Sequence, residues 1–164
     1  MLNLPVTPAD CLAQAIVPAL DLLPGKMDSQ EARVQLLATA WQETKLRTRH
    51  QYGNGPARGL TQYERGGLQC VLSNPLTHVL ALQLCEARGV APTAFDVWNA
   101  LEFDDVLGFG MCRLTCWADS KPLPALGDAN AAWAFYLSAQ NPGVPRPKDW
   151  PDSYRIALEA VEHG

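Results

Sequence analysis

Ser29-Gln30-Glu31-Ala32-Arg33-Val34-Gln35-Leu36-Leu37-Ala38-Thr39-Ala40-Trp41-Gln42-Glu43-Thr44-Lys45-Leu46 is the run from which the rest of the chain is most easily read. Ser29 followed by Glu31 is a helix opening, a short hydroxyl side chain ahead of a carboxylate in the first turn. Val34, Leu37 and Trp41, then Leu36 and Ala40, recur at the 3.6-residue period, so the run predicts one helix ending near Leu46. Glu43 lies seven residues after Leu36, which on a helix turns it only about 20° from that apolar position. A carboxylate is thereby aimed partly inward. Glu43 also stands four residues before Arg47, the spacing of an ordinary surface ion pair.

Outward from this run, helix signals dominate. Thr7-Pro8-Ala9-Asp10 opens a helix that stops near Pro24-Gly25. Between His50 and Gly67 lie five of the twelve glycines, with Pro56, so a tight turn with at most a short hairpin is expected there. Asn74-Pro75 starts a helix with Leu76, Val79, Leu80 and Leu84 on one side, ending at Arg88-Gly89. Short helices follow from Thr93 to about Leu101 and from Asp104-Asp105 to about Trp117, then a loop from Asp119 to Gly127. Asp128 opens a helix carrying Trp133 and Tyr136, the three prolines of 141–150 impose an extended segment, and Pro151-Asp152 begins a terminal helix through Glu162. The expected fold is all-α, or α-dominated α+β: about seven helices with at most a small β-hairpin, in a single domain spanning 1–164.

Composition narrows the partners. At 164 residues, 48% hydrophobic and 18% charged, the chain has material for one core and one cleft. A net charge of -4 with only four lysines argues against affinity gained by neutralising phosphates, so no nucleic-acid partner is expected. No apolar run reaches the ~18 residues of a spanning helix, so no membrane insertion is expected either. The first 24 residues lack the basic start of a secretory signal, and Asp10, Gln14, Pro18 and Asp21 interrupt their apolar stretch. Five cysteines, with Cys112 and Cys116 four apart in a helix, are read as thiols. There is no C-x-x-C pair and no i, i+4 histidine pair, hence no expected metal, and no P-loop, G-x-S-x-G or dinucleotide fingerprint, hence no expected cofactor.

Chemistry concentrates in Gln42-Glu43-Thr44 and Gly55-Pro56-Ala57-Arg58-Gly59-Leu60-Thr61-Gln62-Tyr63-Glu64. A carboxyl in apolar surroundings has its pKa raised, because the charged form loses hydration, and so stays protonated long enough to act as a general acid. Trp41 and Tyr63 are candidates for the apolar wall. A helix ending in Glu-Thr, then Gly-Leu-Thr-Gln nineteen residues from glutamate to glutamine, resembles the lysozyme-like lytic transglycosylases and goose-type lysozymes, whose pattern is Glu-Ser followed by Gly-Leu-Met-Gln. The wider string is similar to small phage and prophage proteins of that fold. The specific likeness covers about 25 residues.

That resemblance implies a lysozyme-like domain, with a catalytic helix over about 29–47 and a glycine-rich cleft loop over about 50–67. It implies cleavage of the MurNAc-GlcNAc β-1,4 bond of peptidoglycan glycan strands by Glu43 as general acid and then base. Glu64 is the nearest second carboxylate for a hydrolytic variant. Thr44, Gly59, Leu60, Gln62, Tyr63 and Tyr136 are the implied substrate-binding residues. Thr44 and Thr61 stand where the family has serine and methionine, and the Ala-Tyr-Asn-Ala-Gly block is absent. Such an enzyme, made in the bacterial cytoplasm, reaches the wall after release or within a phage particle. The competing class is a non-catalytic virion structural or assembly protein bound to other virion proteins; a helical adaptor domain is the third.

Overall fold

The computed structural model describes residues 1–53 and 55–164. The chain folds as eight helical rods, with no sheet among the described residues. The first rod is α1 (Pro8–Cys11), a π-helical turn (Leu12–Ile16) and α2 (Val17–Asp21) in unbroken succession. Thr7 caps it by accepting the Asp10 N–H at 3.1 Å, with Pro8 in the first turn. Pro18 lacks the N–H of a regular i→i−4 bond, and the wider π turn, closed by Val17 N–H on the Leu12 carbonyl, directly precedes it.

α3 (Gln30–Thr44) follows, with Ser29 accepting the Ala32 N–H at 3.2 Å. Ten of its fifteen residues are buried, including Gln35, Thr39, Gln42 and Thr44. It is therefore a central helix covered on most sides rather than a surface helix with one apolar stripe. Its most extensive partner is α9 (Trp150–His163). The second deeply buried helix is α7 (Asp105–Ala118), capped by Asp104, which accepts the Leu107 N–H at 3.0 Å. α7 approaches α5 (His78–Arg88) closely because Gly110 has no side chain: a Cβ there would stand 2.5 Å from a Leu84 methyl. α4 (Arg65–Ser73), α6 (Ala94–Ala100) and α8 (Ala129–Gln140) complete the bundle.

Two sequence expectations are corrected. The glycine turn expected to run to Gly67 ends instead at Glu64, and Gly66 and Gly67 lie in the first turn of a helix over 65–73. Leu68, Val71 and Leu72, all buried, supply the i, i+3, i+4 face that forms α4. On α5 the buried face is Ala81, Leu84 and Cys85, whereas Leu76 and Val79 are exposed. The helix begins only at His78, and a face through Ala81, Leu84 and Cys85 turns Val79 outward. The glycine-rich region makes two isolated bridges, His50 with Arg58 and Arg58 with Tyr63, and no strand among its described residues, within the expectation of at most a short hairpin.

All five cysteines are free; Cys70 is exposed and the other four are buried. Burial pushes the Cys85 thiol up to about 11, which leaves little reactive thiolate near neutral pH. Iodoacetamide is accordingly expected to label Cys70 first in the folded protein and all five cysteines after denaturation without reductant. Mass spectrometry reads the count, and fewer than five adducts in denaturant would contradict the free-thiol state.

The best buried ion pair binds the N-terminal segment to the bundle. Arg49 donates to both carboxylate oxygens of Asp105 at 2.7 Å each and to the Leu2 carbonyl at 2.8 Å. The Leu2 N–H returns to Asp105 at 2.8 Å. Of the Asp104-Asp105 pair expected to open α7, Asp104 is the cap and Asp105 is the counter-ion in the interior.

Candidate active site

Glu43 lies in the last turn of α3, where the chain reverses sharply. Lys45 and Leu46 both adopt left-handed backbone, with φ of 52° and 54°. Such a conformation costs a residue with a Cβ ~1–2 kcal/mol. Two interactions oppose this cost: Leu46 is fully buried, and the Thr44 hydroxyl accepts the Leu46 N–H at 3.3 Å. The same hydroxyl lies 3.0 Å from the Ala40 carbonyl and 3.1 Å from that of Leu60, tying the helix end to the glycine loop. Thr44 thus positions Glu43 from beneath and, being buried, is closed to a ligand.

The Glu43 carboxyl is half-buried and points toward α8, where the Tyr136 hydroxyl donates to its Oε1. Oε2 has no protein partner among the described residues. Arg47 is exposed and makes no ion pair there, so the surface-pair alternative for Glu43 does not occur. Burial raises the Glu43 pKa, opposed by the Tyr136 hydrogen bond and then by the positive charge of Arg146. Burial and the adjacent carboxyl push the Tyr136 phenol far up, so Tyr136 keeps its proton and acts as donor. When Glu43 is neutral this bond reserves Oε1 as acceptor, which leaves the acidic proton on Oε2.

The apolar wall comes from elements far away in sequence. Tyr136 stacks on Trp133 at 5.2 Å and on Trp150 at 5.0 Å between ring centroids, and Trp133 meets Trp150 at 5.4 Å. Trp150 is itself fixed by its indole N–H on the Ala129 carbonyl at 2.8 Å. α8 and α9 therefore supply the wall expected from Trp41 and Tyr63. Tyr63 is a core residue instead, 5% exposed, with its hydroxyl on Thr115 at 2.6 Å.

Gln42, beside Glu43, anchors the segment 141–149. Its amide donates to the Arg146 carbonyl at 2.9 Å, and its Oε1 accepts from Ser153 at 2.8 Å. In return Arg146 Nη2 donates to the Gln42 carbonyl. Gln42 stands in the sequence motif without an assigned role, and Arg146 lies outside it. A half-exposed arginine among prolines has no local signal that it will fold back onto a helix more than a hundred residues earlier.

The glycine loop is placed away from this chemistry. Leu60 is buried in the core, and Gln62, with φ of 51°, closes its own turn by donating to the Gly59 carbonyl at 2.8 Å. Glu64 is exposed at the start of α4 and makes no ion pair among the described residues. Tyr136, 2% exposed, contacts Glu43 rather than an open surface. Of the eight residues singled out beforehand, Glu43 and Tyr136 meet directly, Thr44 and Leu60 meet beneath them, and Gly59 and Gln62 meet in the loop. Tyr63 and Glu64 join neither.

Gly59 shows why a loop glycine need not line a cleft. Its φ is 77°, and a Cβ would stand 3.2 Å from that of Leu101. The positive φ calls for glycine here, and the neighbour is core rather than an open cleft. Gly59→Ala is expected to lower stability by ~1–2 kcal/mol from backbone alone, with crowding against Leu101 added. Denaturant titration measures this, and an unchanged midpoint would contradict it.

Two shallow depressions lie elsewhere, one between Gly59, Leu101 and Phe109 and the other between Val34, Leu126 and Tyr154, and neither has room for a water molecule. Among the described residues no three acidic, cysteine or histidine side chains gather as a metal site, and no helix is long and apolar enough to cross a membrane. Comparison with protein families, with curated proteins and with solved structures yields no match to this chain.

Proposed function

We propose that this protein cleaves the β-1,4 glycosidic bond between MurNAc and GlcNAc in peptidoglycan, with Glu43 as general acid and then general base. One observation carries the reading: a half-buried carboxyl whose pKa burial raises, with Oε1 held by Tyr136 and Oε2 left without a protein partner. That is the arrangement general-acid catalysis requires, a retained proton in a fixed direction. Oε2–H donates to the glycosidic oxygen, the C1–O bond breaks through an oxocarbenium-like state, and Glu43 is left as the carboxylate. The Tyr136 hydrogen bond strengthens on that ionisation, since a charged acceptor binds a hydroxyl more tightly than a neutral one.

Glu43 then takes a proton from the attacking hydroxyl. Hydrolysis needs a second carboxylate within about 5–9.5 Å. A lytic transglycosylase needs none, because the sugar's own 6-hydroxyl attacks and gives a 1,6-anhydro product, and that is the outcome we propose. The half-buried face of Trp133, backed by the buried Trp150, suits the apolar side of a pyranose ring. A phage or prophage origin, and action on the wall after release or within a virion, belong to the same proposal. So does the absence of cofactor, metal and nucleic acid from the reaction.

Mass spectrometry of products released from purified peptidoglycan tests activity and mechanism together. Anhydro-muropeptides are expected. Reducing-end products would redirect the assignment to a hydrolase and return Glu64 to candidacy. No release from several wall types would transfer the protein to the non-catalytic virion structural class.

A further inference from the structure

Arg146 is held in place with one edge free. It lies in the segment between α8 and α9, where Pro142, Pro145 and Pro147 restrict the backbone. Its carbonyl accepts from Gln42, its Nη2 donates to the Gln42 carbonyl, and its Nε reaches Asp149 at 3.3 Å. Nη1 has no protein partner among the described residues, and the side chain is 46% exposed. The charged groups around it are Glu43 from α3, Asp149 from its own segment, and Lys45 and Asp152, with Lys45 bound to Ser153 at 3.3 Å. A guanidinium fixed through two of its nitrogens and open at the third is pre-organised for a carboxylate, since little rotamer freedom remains to be lost. In a chain of net charge -4, recognition of an anionic polymer requires such a local cation.

Resting on the reaction proposed above, the geometry points to Arg146 as the residue that recognises a carboxylate carried by the glycan and, by doing so, positions the proton of Glu43. The free Nη1 edge takes the anion. In the empty site the guanidinium favours the ionised form of Glu43; a bound carboxylate cancels that field and leaves the acid protonated. The substrate thus adds to the rise that burial already produces, and a neutral chitin-type saccharide would not add to it. In peptidoglycan the carboxylate has two sources, the lactyl ether of muramic acid freed of peptide and the acidic groups of the stem peptide.

The test uses the full chain carrying Glu43→Gln to hold saccharides unreacted. Calorimetry measures binding of chitotetraose, a peptide-free muramic-acid fragment and a peptide-bearing fragment, with and without Arg146→Gln. The expected result is about tenfold preference for one or both carboxylated fragments, falling toward one in Arg146→Gln and partly recovered in Arg146→Lys. Which fragment shows the preference identifies the source of the carboxylate. In the chain with Glu43 intact, Arg146→Gln is also expected to move the alkaline limb of kcat/KM to higher pH. That limb reports the acid of the free enzyme, which loses a neighbouring positive charge. A merely structural arginine would move neither quantity. Preference that survives Arg146→Gln, an unmoved limb, or no binding of any fragment overturns the assignment of Arg146. Failure of the glycosidase reading shows separately, as an inert wild type, and the binding arm then still decides Arg146.

Discussion

Glu43→Gln is expected to reduce wall-degrading turnover by at least the ~10²–10⁴-fold that general acid–base groups contribute, with the fold intact. Glutamine keeps the size of the side chain and an Oε1 that accepts from Tyr136, and lacks the proton that Oε2 must deliver. Stability moves the other way. The folded pKa of Glu43 is raised, chiefly by burial, so the stability it contributes is fully present below the unfolded value and is lost as pH rises through the folded value. The variant does not titrate. Its melting temperature relative to wild type should therefore climb from acidic to neutral pH, with the two closest near pH 4. Released muropeptides and melts across that range check both parts; retained turnover in Glu43→Gln, with wild type active, would remove Glu43 from the reaction. Glu64→Gln, altering an exposed group outside the Glu43 cluster, should leave turnover near wild type.

Arg49→Met should be the most damaging of the stability variants. It strands the Asp105 carboxylate, whose side chain is 2% exposed, with the Leu2 N–H as its remaining partner. Removing one member of a buried pair typically costs 3–5 kcal/mol, because the other charge stays desolvated without compensation. For a domain of this size that corresponds to a fall of roughly 10 °C in melting temperature. The paired change Arg49→Met with Asp105→Leu should recover part of the loss, since an apolar pair of similar volume no longer carries a desolvated charge, while the Leu2 N–H and carbonyl lose these partners. A double-mutant cycle by denaturant titration reads the coupling. Additive losses would show that the two side chains do not act as a unit.

The helical architecture was legible because its signals are local. Thr7, Ser29, Thr93, Asp104 and Asp128 cap the helices they were expected to open, and Gly89 closes α5 in left-handed backbone as Arg88-Gly89 implied. Capping and periodicity involve residues within a turn or two of each other, so one sequence displays them. Where local signals compete the reading failed: the glycines at 66–67 outweighed the Leu68-Val71-Leu72 spacing, and four leucine and valine positions on α5 did not reveal which of them met α7. The inward lean of Glu43 followed from its distance to Leu36.

The partners of Glu43 did not follow from anything nearby. Tyr136, Trp133, Trp150 and Arg146 lie 90 or more residues downstream, and only the packing of α8 and α9 against α3 carries them to one carboxyl. The same packing turned Tyr63, Leu60 and Thr44 from candidate ligand contacts into core and support, because a residue in a short loop is exposed or buried according to the elements that cover it. The sequence by itself determined the helices and the direction of one carboxylate, since both are set by contacts a few residues apart. Tertiary structure alone decided the upward direction of that carboxyl's pKa, its fixed oxygen and its neighbouring cation, because hydration loss and Coulomb interactions depend on distance in space, which the order of residues does not contain.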